Sequence, residues 1–442
     1  MTRASRQRTT GGSAVQAALR NLGWLLASRG VLAVLSLLYL GLATRTLGIA
    51  DFGRFALVSG AAQALAVLVG FQTWQVVVRF GMDHRAAGDD AALGRLYRLC
   101  MLLDGASAVL GLLLATVILA VWRDRLGISA ALLRDTILLT ASQLLSIRSS
   151  AIGILRLSDR FGEAAAADSL TPVVRFVGAV LAAALMPTLH AFLWAWSAAE
   201  IATAIGYWIL LVRSGDAALV WRARIRGRIA ADNPHIGRFL LNSNLVSSLG
   251  LATKQLPLLL VGGFVGPAAA GAFRLALQIA QALAKLAQLI ARAAFPEVVR
   301  AIRGVAPAEI AAVLTRMVAA STIGAVVILI VIAGIGKPLL VLVGGDASYG
   351  GAYWLLMWLA AAGSIDLAVV GLEPVLLAAD RSGAAMAARA AGVAAQLTLS
   401  LILLPRLGAA GAAVGVFSAS LVGAILLGAT VRGYARSRAA VA

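Results

Sequence analysis

Long apolar stretches recur along the whole chain, and each approaches the ~20 residues that a helix needs to cross a bilayer. They predict helices near 22–43, 54–79, 96–121, 134–155, 168–187 and 190–212, then near 240–264, 270–294, 312–334, 352–378, 384–404 and 408–431. Composition agrees: 61% of residues are hydrophobic, 13% are charged, and the mean hydropathy is +0.92. A soluble domain carries about 25% charge. This chain has too few charges to cover a water-exposed surface, so the sequence reads as an all-α integral membrane protein of about twelve spans.

The formal net charge of +19 could suggest a nucleic-acid partner. The basic residues, however, lie between apolar stretches rather than along one amphipathic face. Arg213, Arg222, Arg224, Arg226, Arg228 and Arg238 crowd a single linker. That pattern follows the positive-inside rule, in which Lys and Arg collect in cytoplasmic loops. With an even number of spans it predicts both termini in the cytoplasm and excludes nucleic acid as a partner. The single Cys100 leaves no internal disulfide and no Cys-rich metal site, and His84, His190 and His235 are too scattered to form a metal cluster. The first apolar stretch is full length and has no cleavage motif, which predicts no cleaved signal. Residues 1–21 read as a basic, mobile cytoplasmic tail, and 22–212 as an N-terminal six-helix bundle. Residues 213–239 read as a basic cytoplasmic linker, 240–431 as a C-terminal six-helix bundle, and 432–442 as a cytoplasmic tail.

The linker divides an internal duplication. LGIADFGRFALVSGAAQAL, from Leu47, aligns without gaps on VGPAAAGAFRLALQIAQAL, from Val265, at an offset of 218 residues. Gly48 then meets Gly266, Gly53 meets Gly271, Phe55 meets Phe273 and Gln63 meets Gln281. An offset near half the chain is what a six-plus-six duplication requires. Six helices return the chain to its starting side, so the halves are expected to be parallel repeats about an axis along the membrane normal.

The segment RTLGIADFGRFAL, Arg45 to Leu57, resembles the signature between the first two helices of bacterial polysaccharide-export flippases. These are the O-antigen (Wzx-like) members of the multidrug/oligosaccharidyl-lipid/polysaccharide (MOP) superfamily. VGPAAAGAFRLA, Val265 to Ala276, is similar to the second-half counterpart, and RLGAAGAAVG, Arg406 to Gly415, to the last hairpin. Ile49 stands where the family often has proline. The resemblance implies two six-helix bundles in a MATE-like arrangement around a central cavity. It also implies a lipid-linked oligosaccharide as substrate, and polysaccharide polymerase or assembly proteins as further partners.

The eighth predicted helix carries the most specific local signal. Between Ala272 and Ala294 its only polar residues are Arg274, Gln278, Gln281, Lys285, Gln288 and Arg292. At 100° per residue these six fall within about 80° of arc and span roughly 27 Å. A cation at the bilayer centre costs about 2.5–3.5 kcal/mol on insertion scales, so the stripe is expected to face a water-filled cationic lumen rather than lipid. Snorkelling of Arg274 and Arg292 to the two interfaces accounts less well for Lys285 between three glutamines. On the seventh helix Asn244, Ser247, Lys254 and Gln255 share a face, next to Pro257. Arg29, Arg148 and Arg175 are further intramembrane cations and join the candidate substrate-binding set. Asp366 and Glu373 lie seven apart on the tenth helix, and Asp104 and Glu200 lie on the third and sixth. These four carboxylates are candidates for carrying a coupling H⁺ or Na⁺, or for pairing with the cations.

No P-loop, nucleophile arrangement or zinc spacing is present, and the loops are too short to hold a catalytic domain. The sequence therefore predicts a transporter of the bacterial inner membrane, with no catalytic residue, cofactor or metal. Its expected partners are membrane lipids and a polyprenyl-diphosphate-linked oligosaccharide that it flips to the external leaflet. A multidrug exporter or a lipid II flippase of the same superfamily is the alternative, with a membrane-embedded polymerase or glycosyltransferase less favoured.

Overall fold

The computed structural model of the protein describes residues 6–122, 130–223, 229–282, 310–372, 376 and 381–439, with side chains in the first helix described from Val34 onward. Among the described residues the regular structure is entirely helical. In chain order the helices are α1 (Arg6–Val69), α2 (Thr73–Ala86), α3 (Asp90–Trp122), α4 (Ala130–Leu145), α5 (Ser149–Leu157), α6 (Phe161–Leu185) and α7 (Leu189–Ser214). Two short helices, α8 (Asp216–Arg222) and α9 (Ile229–Asp232), follow in the linker. The second half holds α10 (Ile236–Lys254), α11 (Leu256–Phe264), α12 (described over 267–282), α13 (Ile310–Gly344), α14 (Tyr353–Ala368), α15 (Ser382–Leu407) and α16 (Ala409–Ala439).

Each of the twelve sequence windows falls on helix, although 270–294 is described only to residue 282, and 352–378 to residue 372 plus residue 376. Nine helices among the described residues are long and apolar enough to cross a membrane, ten when α10 and α11 count as one bent span. Several boundaries differ from the sequence reading. The first helix starts at Arg6, so most of the segment expected as a mobile tail is helical. The segment 334–352, between two of the predicted helices, is helical to Gly344 and then forms a 3₁₀ turn over Ala347–Ala352. The linker carries α8 and α9 and is docked: Arg95 pairs with Asp232 at 2.7 Å, and His84 bonds buried Asn233 at 2.9 Å. Charge density marked it as a loop but said nothing about these partners.

Among the described residues four of the predicted spans are interrupted, the tenth at residues 369–371. The second breaks at residues 70–72, between α1 and α2, and the fourth at 146–148, between α4 and α5. The seventh bends by 45° at Gln255, where Pro257 in the first turn of α11 cannot donate the hydrogen bond that would continue α10. The two breaks in the first half are neighbours because α5 lies directly on α2. A β-carbon on Gly153 would stand 2.8 Å from the Cα of Trp74, so only glycine lets the helices approach this closely.

The duplication reappears as symmetric geometry. Gly48 and Gly266 both hold positive φ, 72° and 113°, and end the helices that precede α1's second segment and α12. Those two successors cross at Gly53 and Gly271. A β-carbon on Gly53 would lie 1.7 Å from the Pro267 carbonyl oxygen, and one on Gly271 would lie 2.5 Å from that of Ile49. Ile49 and Pro267 are themselves partners under the 218-residue offset, so each half offers the same surface to the other. Thr44 and Arg45 add bonds from α1 to the Val343 and Leu342 carbonyls of α13, on the same side of the molecule. Phe55 and Phe273, another repeat pair, are buried in the core that spans both halves. The halves therefore meet tightly on the side away from the linker.

Candidate functional site

Glu200 on α7 is the centre of a charged cluster inside the spans. Its side chain is 2% exposed and receives two guanidinium groups. Arg175 on α6 donates from Nη2 to Oε1 at 2.7 Å, and Arg148 brings Nη2 to 3.1 Å from Oε2. Arg148 can reach because it occupies the break between α4 and α5 with non-helical φ and ψ of −129° and −12°. Arg175 is held from its other side by Trp196, over whose ring it lies at 5.3 Å. Trp196 packs edge-on against Tyr39 at 5.1 Å and against Phe55 at 4.8 Å, linking the cluster to α1. Arg274 of α12, half-buried, lies in the electrostatic field of both Arg175 and Tyr39. It arrives from the opposite half of the duplication.

Two guanidinium groups thus face one carboxylate, and a third, that of Arg274, lies in the field of Arg175. Arg148 Nη1 and Arg175 Nε are buried N–H groups without a hydrogen-bond partner among the described residues. A surplus of cations with spare donors in a low-dielectric interior can accept an anion, since fixed like charges repel until one is supplied. Arginine suits this task because its planar fork presents paired donors to phosphate oxygens.

The remaining candidates divide. Gln278 and Gln281 are half-buried on the helix that carries Arg274. Lys254 is exposed at the end of α10. Its neighbour Gln255 donates to Gln63 of α1, a bond between the halves. Asn244 has a buried Oδ1 without a partner among the described residues, whereas Ser247 bonds the Ser243 carbonyl of its own helix. Lys285, Gln288, Arg292 and Glu373 lie outside the described residues, as does the side chain of Arg29. Asp366 on α14 bonds Ser420 of α16 and stands in the field of Arg389 on α15.

Asp104 is placed by the two helix breaks. Thr73, the first residue of α2, donates to its Oδ1 at 2.7 Å. Ser150, in the first turn of α5, donates to Oδ2 through its backbone N–H at 2.9 Å and its hydroxyl at 2.6 Å. One buried carboxylate therefore closes both interruptions, accepting donors that the broken helices leave unpaired. Thr73 and Ser150 were not legible in the sequence, where they are ordinary hydroxyl residues in apolar runs. A second unread group lies at the other end of the first half. Asp135 on α4 accepts from Trp194 at 2.6 Å and pairs with His190. Among the described residues no group of three or more His, Cys, Asp or Glu side chains could hold a metal ion.

Fold and charge together define a multi-pass, all-helical membrane protein. The solved structures it resembles are of this class. An inward-facing multidrug-resistance MATE family transporter of the MOP superfamily superposes with a TM-score of 0.65 at 15% identity, over 92% of this chain and 95% of that one. The lipid II flippase MurJ, in an inward closed conformation, gives 0.65 at 14% identity over 92% and 87%. The Vibrio cholerae MATE transporter VcmN, in a point-mutant form, gives 0.59 at 16% over 97% and 98%. These likenesses establish the MATE-like fold. The chain belongs to the polysaccharide biosynthesis protein family, which matches residues 18–301. It is also 28% identical over 351 residues to the inner membrane protein YghQ of Escherichia coli strain K12, covering 76% of this chain and 95% of that protein.

Proposed function

We propose that this protein is a flippase of the bacterial inner membrane, with both termini cytoplasmic. Its substrate is a polyprenyl-diphosphate-linked oligosaccharide, carried from the cytoplasmic to the external leaflet by alternating access of the two halves. The observation that carries this reading is the cation excess around Glu200, where Arg148 and Arg175 of one half are joined by Arg274 of the other. A diphosphate supplies the missing negative charge and bridges both halves, so its arrival and departure would bias how they sit against each other. Gln278, Gln281 and the sequence-predicted Lys285 extend the site along one face of α12, with amide groups suited to sugar hydroxyls. No bond is made or broken in such a cycle. An ion gradient supplies the driving force, with Asp366 and Glu373 as the carboxylates that carry H⁺ or Na⁺.

Arg274 is the residue to test, because Glu200 keeps both its partners when Arg274 is removed. A charge-assisted bond contributes about 1.5–3 kcal/mol, so Arg274→Ala is expected to slow translocation of the lipid-linked oligosaccharide in proteoliposomes by tenfold or more. Arg274→Lys keeps the charge but loses the fork and should retain part of the rate. Wild-type rates in both Arg274→Ala and Lys285→Ala, with the proteins folded and inserted, would overturn the assignment.

A further inference from the structure

Beside the break at residues 146–148, where the chain continues as α5 against α2, a groove runs between α4 and the C-terminal half of α7. The groove encloses about 770 Å³ and is walled by Leu138, Leu145, Ile201, Ile205, Trp208 and Ile209. Its few polar walls are already satisfied: Ser142 bonds the Leu139 carbonyl, Ser146 the Ser142 carbonyl, and Trp208 the Ile147 carbonyl inside the break. What remains is an apolar trough with one cation, Arg213, which closes it at the end of α7 where the linker begins. Arg213 is exposed and has no ion pair or hydrogen bond to any described residue; the nearby Asp216 accepts instead from Ser158.

We propose that this groove binds an anionic phospholipid of the leaflet on the linker's side, with an acyl chain in the trough and the phosphate on Arg213. The charge decides the occupant. An acyl chain satisfies Leu, Ile and Trp walls in any lipid, but only a headgroup with net negative charge compensates a guanidinium that has no partner among the described residues. The site lies on the outer face, on α4 and α7, and does not use Arg274 or the α12 stripe. It therefore stands whether or not the chain flips a saccharide.

Trp208 in the wall provides the readout. The full-length protein is reconstituted into phosphatidylcholine vesicles containing acyl-brominated phosphatidylglycerol, or acyl-brominated phosphatidylcholine at the same fraction. Tryptophan quenching assigned to Trp208 by difference from Trp208→Phe is expected to be stronger with the brominated phosphatidylglycerol. The titration should give an affinity preference of about fivefold, the size that one basic residue at the bilayer surface provides. Arg213→Ala should abolish the preference, and Ala204→Phe, which fills the trough, should remove the excess quenching altogether; both are checked for a native elution volume. Equal quenching by the two lipids, or a preference that survives Arg213→Ala, would overturn the proposal. So would displacement of the brominated phosphatidylglycerol by undecaprenyl phosphate but not by unlabelled phosphatidylglycerol, which would make the occupant the saccharide carrier instead.

Discussion

At the residue scale, Glu200 and Asp104, two of the buried carboxylates of the first half, occupy opposite electrostatic situations. Glu200 compensates two arginines, and removing it leaves both uncompensated in the interior. Breaking a buried ion pair costs about 3–5 kcal/mol, so Glu200→Gln should sharply lower the thermal midpoint of the detergent-solubilised protein. Combining it with Arg148→Gln should recover part of the loss, and a double variant no more stable than Glu200→Gln would show that the charges are independent. Asp104 has hydroxyl and amide partners and no cation among its bonds. Asp104→Asn keeps the shape but replaces one acceptor with a donor, which then faces other donors. It should destabilise by about 1–3 kcal/mol, and no second-site charge change should rescue it. Of these two centres the sequence identified the carboxylates themselves. It could not name their partners, because Glu200 is contacted from two other helices, and Thr73 and Ser150 reach Asp104 from across two helix breaks.

At the element scale, glycines decide how close the helices come. Gly53 and Gly271 allow α1 and α12 to cross with backbone touching backbone, and α5 rests on α2 at Gly153. Gly53→Ala places a methyl 1.7 Å from the Pro267 carbonyl oxygen, so the crossing must open. Its thermal midpoint should fall by several degrees, and Gly271→Ala should behave alike because the contact is symmetric. Gly105→Ala in α3 is the internal control. A β-carbon there meets nothing within 4 Å. The gain in helix propensity, roughly 1 kcal/mol, should leave that variant at least as stable as the parent. A Gly53→Ala protein with the stability of Gly105→Ala would mean that the two helices do not approach at this point. The sequence paired Gly53 with Gly271 as equivalent positions of a repeat. Only the folded chain brings these equivalents into contact, and that follows from a symmetry axis running between them.

At the scale of the whole molecule, the even number of spans and the basic linker fix the expected topology. Reporter fusions at residue 225 and at the C-terminus should both report the cytoplasm. A C-terminus on the external side would mean an odd number of spans.

The apolar windows determined the fold class and the approximate place of the long helices among the described residues, because a span must be long and hydrophobic whatever its neighbours are. The Gly-Gly, Phe-Phe and Gln-Gln matches at one offset determined the duplication, and the polar stripe from Arg274 marked α12 as a helix that needs shelter from lipid. The tertiary structure decided which charges meet. Arg148, Arg175 and Glu200 lie on three different elements, and nothing in their spacing says that they form one cluster, or that Arg274 joins it from the other half. It also decided where the spans break, since the interruptions at 70–72 and 146–148 depend on Asp104 and on the bare surface of Gly153 rather than on a local proline. The physical reason is the range of the forces involved. Transfer into hydrocarbon acts on each segment separately and is written along the chain, whereas ion pairs and helix contacts act over a few ångströms between residues that only folding makes neighbours.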